Sequence, residues 1–181
     1  MAQNKSLKPL KIKIIDEKSF KLIGCVFYGD PFHSKEEWNT ENEIGSLWNR
    51  FLKLCYENAD LLQKEVINDL AYEVHLQPED YKETGKFYVY VGVEVKKMKE
   101  MPLEMFCKTF PATKYAIFTF KGEDMFRGGE YIWNEWLPNS NYEEAFPYMA
   151  LAYDKNRFLG LDNKESEIDF YVPVKSKDKG E

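Results

Sequence analysis

The chain has 181 residues, 44% of them apolar and 31% charged, with 25 basic against 31 acidic side chains and a formal charge of −6. That length and apolar content suffice to bury one compact core, and the acidic balance provides no general field for phosphate backbones, so no direct nucleic-acid partner is expected. No leader-like apolar segment follows the early lysines and no run of about 18 apolar residues occurs, so the expectation is a cytoplasmic protein without a membrane span.

In chain order, Lys11 to Gly29 is rich in β-favouring residues and broken around Asp16-Glu17-Lys18, which predicts a long or interrupted strand. Thr40-Glu41-Asn42-Glu43 reads as a capping box, and Ile44, Leu47, Trp48, Phe51, Leu52 and Cys55 then recur at helical spacing, predicting a helix over about 41–60. A strand at 71–76, a turn containing Pro78 and Gly85, and a strand at 86–97 complete a first set. The second set begins with a strand near 114–120. A helix entered through Gly128-Gly129 and stopped by Pro138 follows, then strands near 149–154 and 168–174 around a loop. A charged tail occupies 176–181.

The two sets echo one another. Leu70-Ala71-Tyr72-Glu73 returns as Leu151-Ala152-Tyr153-Asp154, and Tyr90-Val91-Gly92-Val93 returns as Tyr171-Val172-Pro173-Val174, both 81 positions later. Lys21 to Gly29 resembles Lys114 to Gly122, and Trp48-Asn49 with Phe51-Leu52 resembles Trp133-Asn134 with Trp136-Leu137. Four matches in one order predict a duplicated β-α-β-β module, about 10–98 and 103–175, within a single α+β domain. The sheet should be mixed or antiparallel, with helices on one face and a cleft where the modules meet at a pseudo-twofold seam.

Alternation along Phe87 to Val95 assigns Phe87, Val89, Val91, Val93 and Val95 to the core, and leaves Tyr88, Tyr90, Gly92 and Glu94 on a face that touches water or a ligand. On the closing strand Tyr171 is the counterpart of Tyr90. In Tyr72-Glu73-Val74-His75-Leu76, Glu73 and His75 share the side opposite the apolar residues, so two tyrosines, a carboxylate and an imidazole are expected to converge on one surface. A solvated sheet face is the competing reading. Trp48, Trp133 and Trp136 fall on the apolar sides of their helices, either as core or as walls of the cleft. Cys25, Cys55 and Cys107, even with His33 and His75, form neither a disulfide framework nor a zinc pattern, so no metal is expected. No Walker loop or nucleophile elbow is present either, and no cofactor is expected.

The doubled β-α-β-β order, Y-I-W-N-E-W-L-P at 131–138 with Ser140-Asn141-Tyr142-Glu143, and E-I-D-F-Y-V-P-V-K at 167–175 resemble the GyrI-like small-molecule-binding domain, found in multidrug-responsive transcription regulators and in stand-alone integron-associated effector-binding proteins. The resemblance implies a ligand cleft between two modules that holds a bulky hydrophobic, often cationic, compound with aromatic walls and a buried carboxylate. It carries over Tyr171 as a pocket residue. The family's acid, two residues before a tyrosine that corresponds to Tyr153, falls on Leu151 here. Glu73 on the related strand is the expected substitute; matching the repeats pairs it with Asp154, whereas the family pattern pairs it nearer Leu151. The ligand-binding candidates are therefore Glu73, His75, Tyr90, Tyr153, Tyr171, Trp48, Trp133 and Trp136. Ten residues precede the first strand, so a sensor without a DNA reader is expected. The resemblance also implies two alternatives: hydrolysis of strained cyclopropane compounds with Glu73 as catalytic base, or association with a protein partner such as a gyrase.

Overall fold

The computed structural model describes residues 7–31, 42–97 and 100–177. Its first strand, β1 (Lys11–Gly29), runs unbroken past the acidic interruption because bulges between Ile15 and Phe20 absorb it. Helix α1 (Glu43–Glu57) starts at Asn42, whose side chain accepts from the amides of Ile44 and Gly45. Of the expected capping box, Thr40 lies outside the described residues, as does His33, and Glu43 is the first residue of the helix. A short helix α2 (Ala59–Leu62) leads into β2 (Val66–Leu76), and α3 (Tyr81–Thr84) ends at Gly85, whose φ of 66° suits a residue without a side chain. Strands β3 (Phe87–Val95) and β4 (Phe106–Lys121) follow, then helical turns over residues 122–139, and β5 (Tyr142–Glu144), β6 (Tyr148–Asp154) and β7 (Glu167–Ser176).

All described pairings are antiparallel. In the first half β3 lies between β1 and β2; in the second, β7 lies between β4 and β6. The halves meet twice, at β2–β6 and along the β1–β4 ribbon, so six of the seven strands curl into a closed layer and β5 extends it beside β7. Three cores result. Ile44, Leu47, Phe51 and Leu54 of α1 press onto Ile23, Cys25, Val89 and Val91 on the outside of the first half. The helical segment 122–139 covers Ala116, Phe118, Phe120, Phe170 and Val172 on the outside of the second. Between the halves, inside the layer, Phe20, Tyr72, Val74, Tyr90, Phe110, Tyr115 and Tyr148 form a third core.

The inner core corrects one expectation. The row Tyr88-Tyr90-Gly92-Glu94 does not face water along its length: Tyr90 is 6% and Glu94 4% exposed, and only Tyr88, at 40%, reaches solvent. Closure of the sheet buries what an open sheet would have left wet.

The register corrects a second. Ala71 pairs with Tyr153 and Tyr72 with Ala152, so Tyr72 points into the inner core while Tyr153 points outward. A shift of one residue exchanges the faces of a strand, and the match of Leu70-Ala71-Tyr72-Glu73 to Leu151-Ala152-Tyr153-Asp154 is therefore out of register as structure. The other strand matches keep their faces: Tyr90 and Tyr171 both border the inner core, and Cys25 and Phe118 both lie beneath a helix.

Candidate functional site

Glu73 is 1% exposed on the outer side of β2, at the seam. Leu151 is its direct partner on β6, so the carboxylate stands across the strand pair from the position where the acid was expected. Helix α1 lays Trp48 over it, and the indole Nε1 donates to Oε2 at 2.5 Å. The Tyr153 hydroxyl donates to the same oxygen at 3.5 Å, and His75 Nε2 lies 2.7 Å from Oε1. Burial, reinforced by the Glu73 charge, pushes the Tyr153 phenol well above its ordinary range, so it remains a donor at any ordinary pH.

Glu73 floors a cavity of about 520 Å³, and His75 stands behind it, outside the lining. Ile44, Gly45, Trp48, Asn49 and Leu52 of α1 form one wall; Tyr153 and the loop residues Phe158, Gly160, Leu161 and Asp162 form the other. The rings meet edge to face, Trp48 with Tyr153 at 5.1 Å and Tyr153 with Phe158 at 4.9 Å between centroids. The loop wall is fixed by buried Ser166, whose hydroxyl accepts from the Leu159 amide at 2.8 Å and donates to the Gly160 carbonyl at 2.6 Å. Gly160 turns there with φ at 113°, a conformation that side chains resist.

Three buried carboxylates can be compared. Glu94 accepts from Lys18 at 3.1 Å, from Asn68 at 2.8 Å and from the Tyr72 hydroxyl at 3.3 Å. Asp169 is held by the Arg157 guanidinium at 2.5 and 3.2 Å and by Thr119 at 2.6 Å. Glu73 has an indole, a phenol and an imidazole, and no lysine or arginine bonds to it among the described residues. Two acids thus carry a permanent cation, and the one that faces the cavity does not.

The structure divides the predicted residues into three places. Glu73, His75, Trp48 and Tyr153 come together at the seam. Tyr90 and Tyr171 do not join them; alternation turns both toward the inner core, where Tyr90 donates to the carbonyls of Leu22 and Phe106. Trp133 and Trp136 pack over the second half, Trp136 edge-on to Phe118 at 4.9 Å and stacked on Tyr142 at 6.0 Å, and neither lines the cavity. Phe158, Leu161 and Asp162 were missed, although Phe158-Leu159-Gly160-Leu161 is an apolar run inside an otherwise polar loop. Among the described residues no cluster of three or more His, Cys, Asp or Glu side chains is placed to hold a metal, and no helix is long and apolar enough to cross a membrane.

Residues 13–174 match the family described as Cass2, integron-associated effector binding protein. The chain belongs to that family. A relative, the transcriptional regulator BrlR of Pseudomonas aeruginosa, is 26% identical over 170 residues, which are 93% of this chain and 57% of the regulator, so the chain spans little more than half of that protein. Two solved structures share the fold. SAV2435 bound to tetraphenylphosphonium superposes with a TM-score of 0.65 at 16% identity, over 92% of this chain and 94% of the other. The integron cassette protein VCH_CASS2 of Vibrio cholerae gives 0.58 at 19% identity, over 94% of this chain and all of its counterpart, 100%. The fold is thus that of GyrI-like effector-binding domains.

Proposed function

We propose that this chain binds a bulky lipophilic cation at the β2–β6 seam, with Glu73 as counter-charge, Trp48, Tyr153 and Phe158 as walls, and Asp162 at the rim. The observation that carries this reading is the buried Glu73 carboxylate, which among the described residues lacks the lysine or arginine that Glu94 and Asp169 each have. A buried charge is costly unless an opposite charge meets it, and a ligand cation supplies one. Each ring adds about 0.5–2 kcal/mol of cation–π attraction. The volume, about 520 Å³, falls within the range of roughly 300–1,000 Å³ usual for small-molecule sites. A protein of the same fold, SAV2435, has been solved with tetraphenylphosphonium, which is such a cation.

Hydrolysis is the weaker reading. The two Glu73 oxygens already engage three side chains, leaving about one acceptor position for a water nucleophile. Calorimetric titration with tetraphenylphosphonium tests the proposal. Wild type is expected to bind one equivalent and Glu73→Gln to bind about tenfold more weakly or worse, a loss of ~1.4 kcal/mol or more. Equal affinity in both proteins would remove Glu73 from the account.

A further inference from the structure

The inner core is not closed at both ends. Where β2 and β3 reach Leu76 and Tyr88, a second cavity of about 410 Å³ opens, lined by Val26, Val74, Leu76, Tyr88, Tyr90, Phe106, Cys107, Lys108 and Phe110. It is separated from the Glu73 cavity by the sheet itself: Val74 and Leu76 alternate with Glu73 and His75 along β2, so the two hollows lie on opposite faces of one strand.

Its mouth is unusually aromatic for a wet surface. Of the lining rings, Tyr88 is 40% and Phe106 53% exposed; just outside the lining, Tyr28, 45% exposed and within reach of the Asp80 charge, has its ring 4.5 Å from that of Tyr88. Leaving rings of that size in water forgoes the burial free energy they would gain against a flat apolar guest. The charge at the mouth also differs from that of the first cavity. Lys108 is the one charged side chain among the described lining residues, and its Nζ stands 6.0 Å from the Phe110 centroid, over the edge of the hollow. The buried Tyr90 hydroxyl is already committed to the carbonyls of Leu22 and Phe106, so the floor makes no polar demand on a guest.

We infer that this end of the barrel is a second binding site, for a small planar aromatic carrying one negative group: the rings receive the flat body and Lys108 receives the acid. The charge preference is opposite to that proposed for the seam, and the site stands independently of that proposal.

The probes are 2-naphthoate and its positively charged counterpart 2-(aminomethyl)naphthalene, titrated calorimetrically into the full chain. Wild type is expected to prefer 2-naphthoate. Lys108→Glu should weaken 2-naphthoate about threefold to tenfold, a modest change because the lysine is exposed and screened, and should reverse the preference toward the amine. Leu76→Trp, checked for folding by its melting transition, should abolish binding of both probes by filling the hollow. Saturating tetraphenylphosphonium should leave the naphthoate isotherm unchanged. The proposal is overturned if Lys108→Glu keeps the wild-type preference, if folded Leu76→Trp still binds 2-naphthoate, or if the phosphonium competes with it.

Discussion

The two halves share a strand order and one covering helix each, yet they handle the space under the helix differently. In the second half the helical segment comes down hard on its sheet. A Cβ at Gly128 would sit 2.8 Å from the Phe120 ring and 2.9 Å from Phe170, and the rings of Phe118, Phe120, Phe170, Tyr131 and Trp136 interlock beneath. In the first half α1 rests on Ile23, Cys25, Val89 and Val91, with Phe27 and Phe87 in the same cluster, and toward the seam its packing gives way to a cavity floored by a carboxylate. The doubled strand order provides two similar scaffolds. In the second half Phe118, Phe120 and Phe170 fill the space under the helix, and in the first, where the residues nearest the seam are smaller, a cavity remains.

The largest test of that contrast is Phe118→Ala. The ring is fully buried against Tyr131 and Trp136, so about 3–5 kcal/mol of stability should disappear in urea denaturation, with little recovery by collapse. Gly128→Ala should cost about 1–3 kcal/mol, because aromatic side chains on two strands must give way together; a neutral result would mean that the second helix is not tightly seated. A smaller effect, confined to high pH, is expected at Tyr171. Burial, with Asp169 next, pushes its phenol up to about 12 from an ordinary 10, so the fold favours the protonated form. Its contribution is intact below about pH 10 and lost as pH climbs toward 12, and Tyr171→Phe should flatten part of the alkaline fall in melting temperature while changing little at pH 7. Least of all on stability is Leu52→Ala. This cavity-wall leucine is 56% exposed, so the melting transition should move by no more than about 0.5 kcal/mol, while tetraphenylphosphonium affinity drops measurably.

Much of this was legible from residue order. The strands, the two helices and the doubled order follow from apolar spacing, and Glu73, His75, Trp48 and Tyr153 were all among the candidates that the seam brings together. What escaped has physical reasons. The first eight residues of β4, with Pro111 among them, read poorly as strand because they form an edge that pairs with β1 alone, where a proline is tolerated. The strand β5 has three residues and no periodicity to show. The repeat around Tyr72 and Tyr153 misled because a string match ignores which face each residue occupies, and the closure that buries the inward face carrying Tyr90 and Tyr171 depends on the distant pairing of β1 with β4. Loop residues Phe158 and Leu161 enter the site through a turn in which the Asp154 carbonyl accepts from the Phe158 amide, and through the hydrogen bonds of Ser166 to Leu159 and Gly160, neither of which apolar spacing announces.

The most direct measurement is a crystal structure of the protein with tetraphenylarsonium, in which the arsenic marks the cation by anomalous scattering. The account predicts one strong peak between Glu73, Trp48 and Tyr153, within about 6 Å of the ring centroids. A fully occupied peak elsewhere, above all at the Lys108 mouth, with the seam cavity empty, would contradict it.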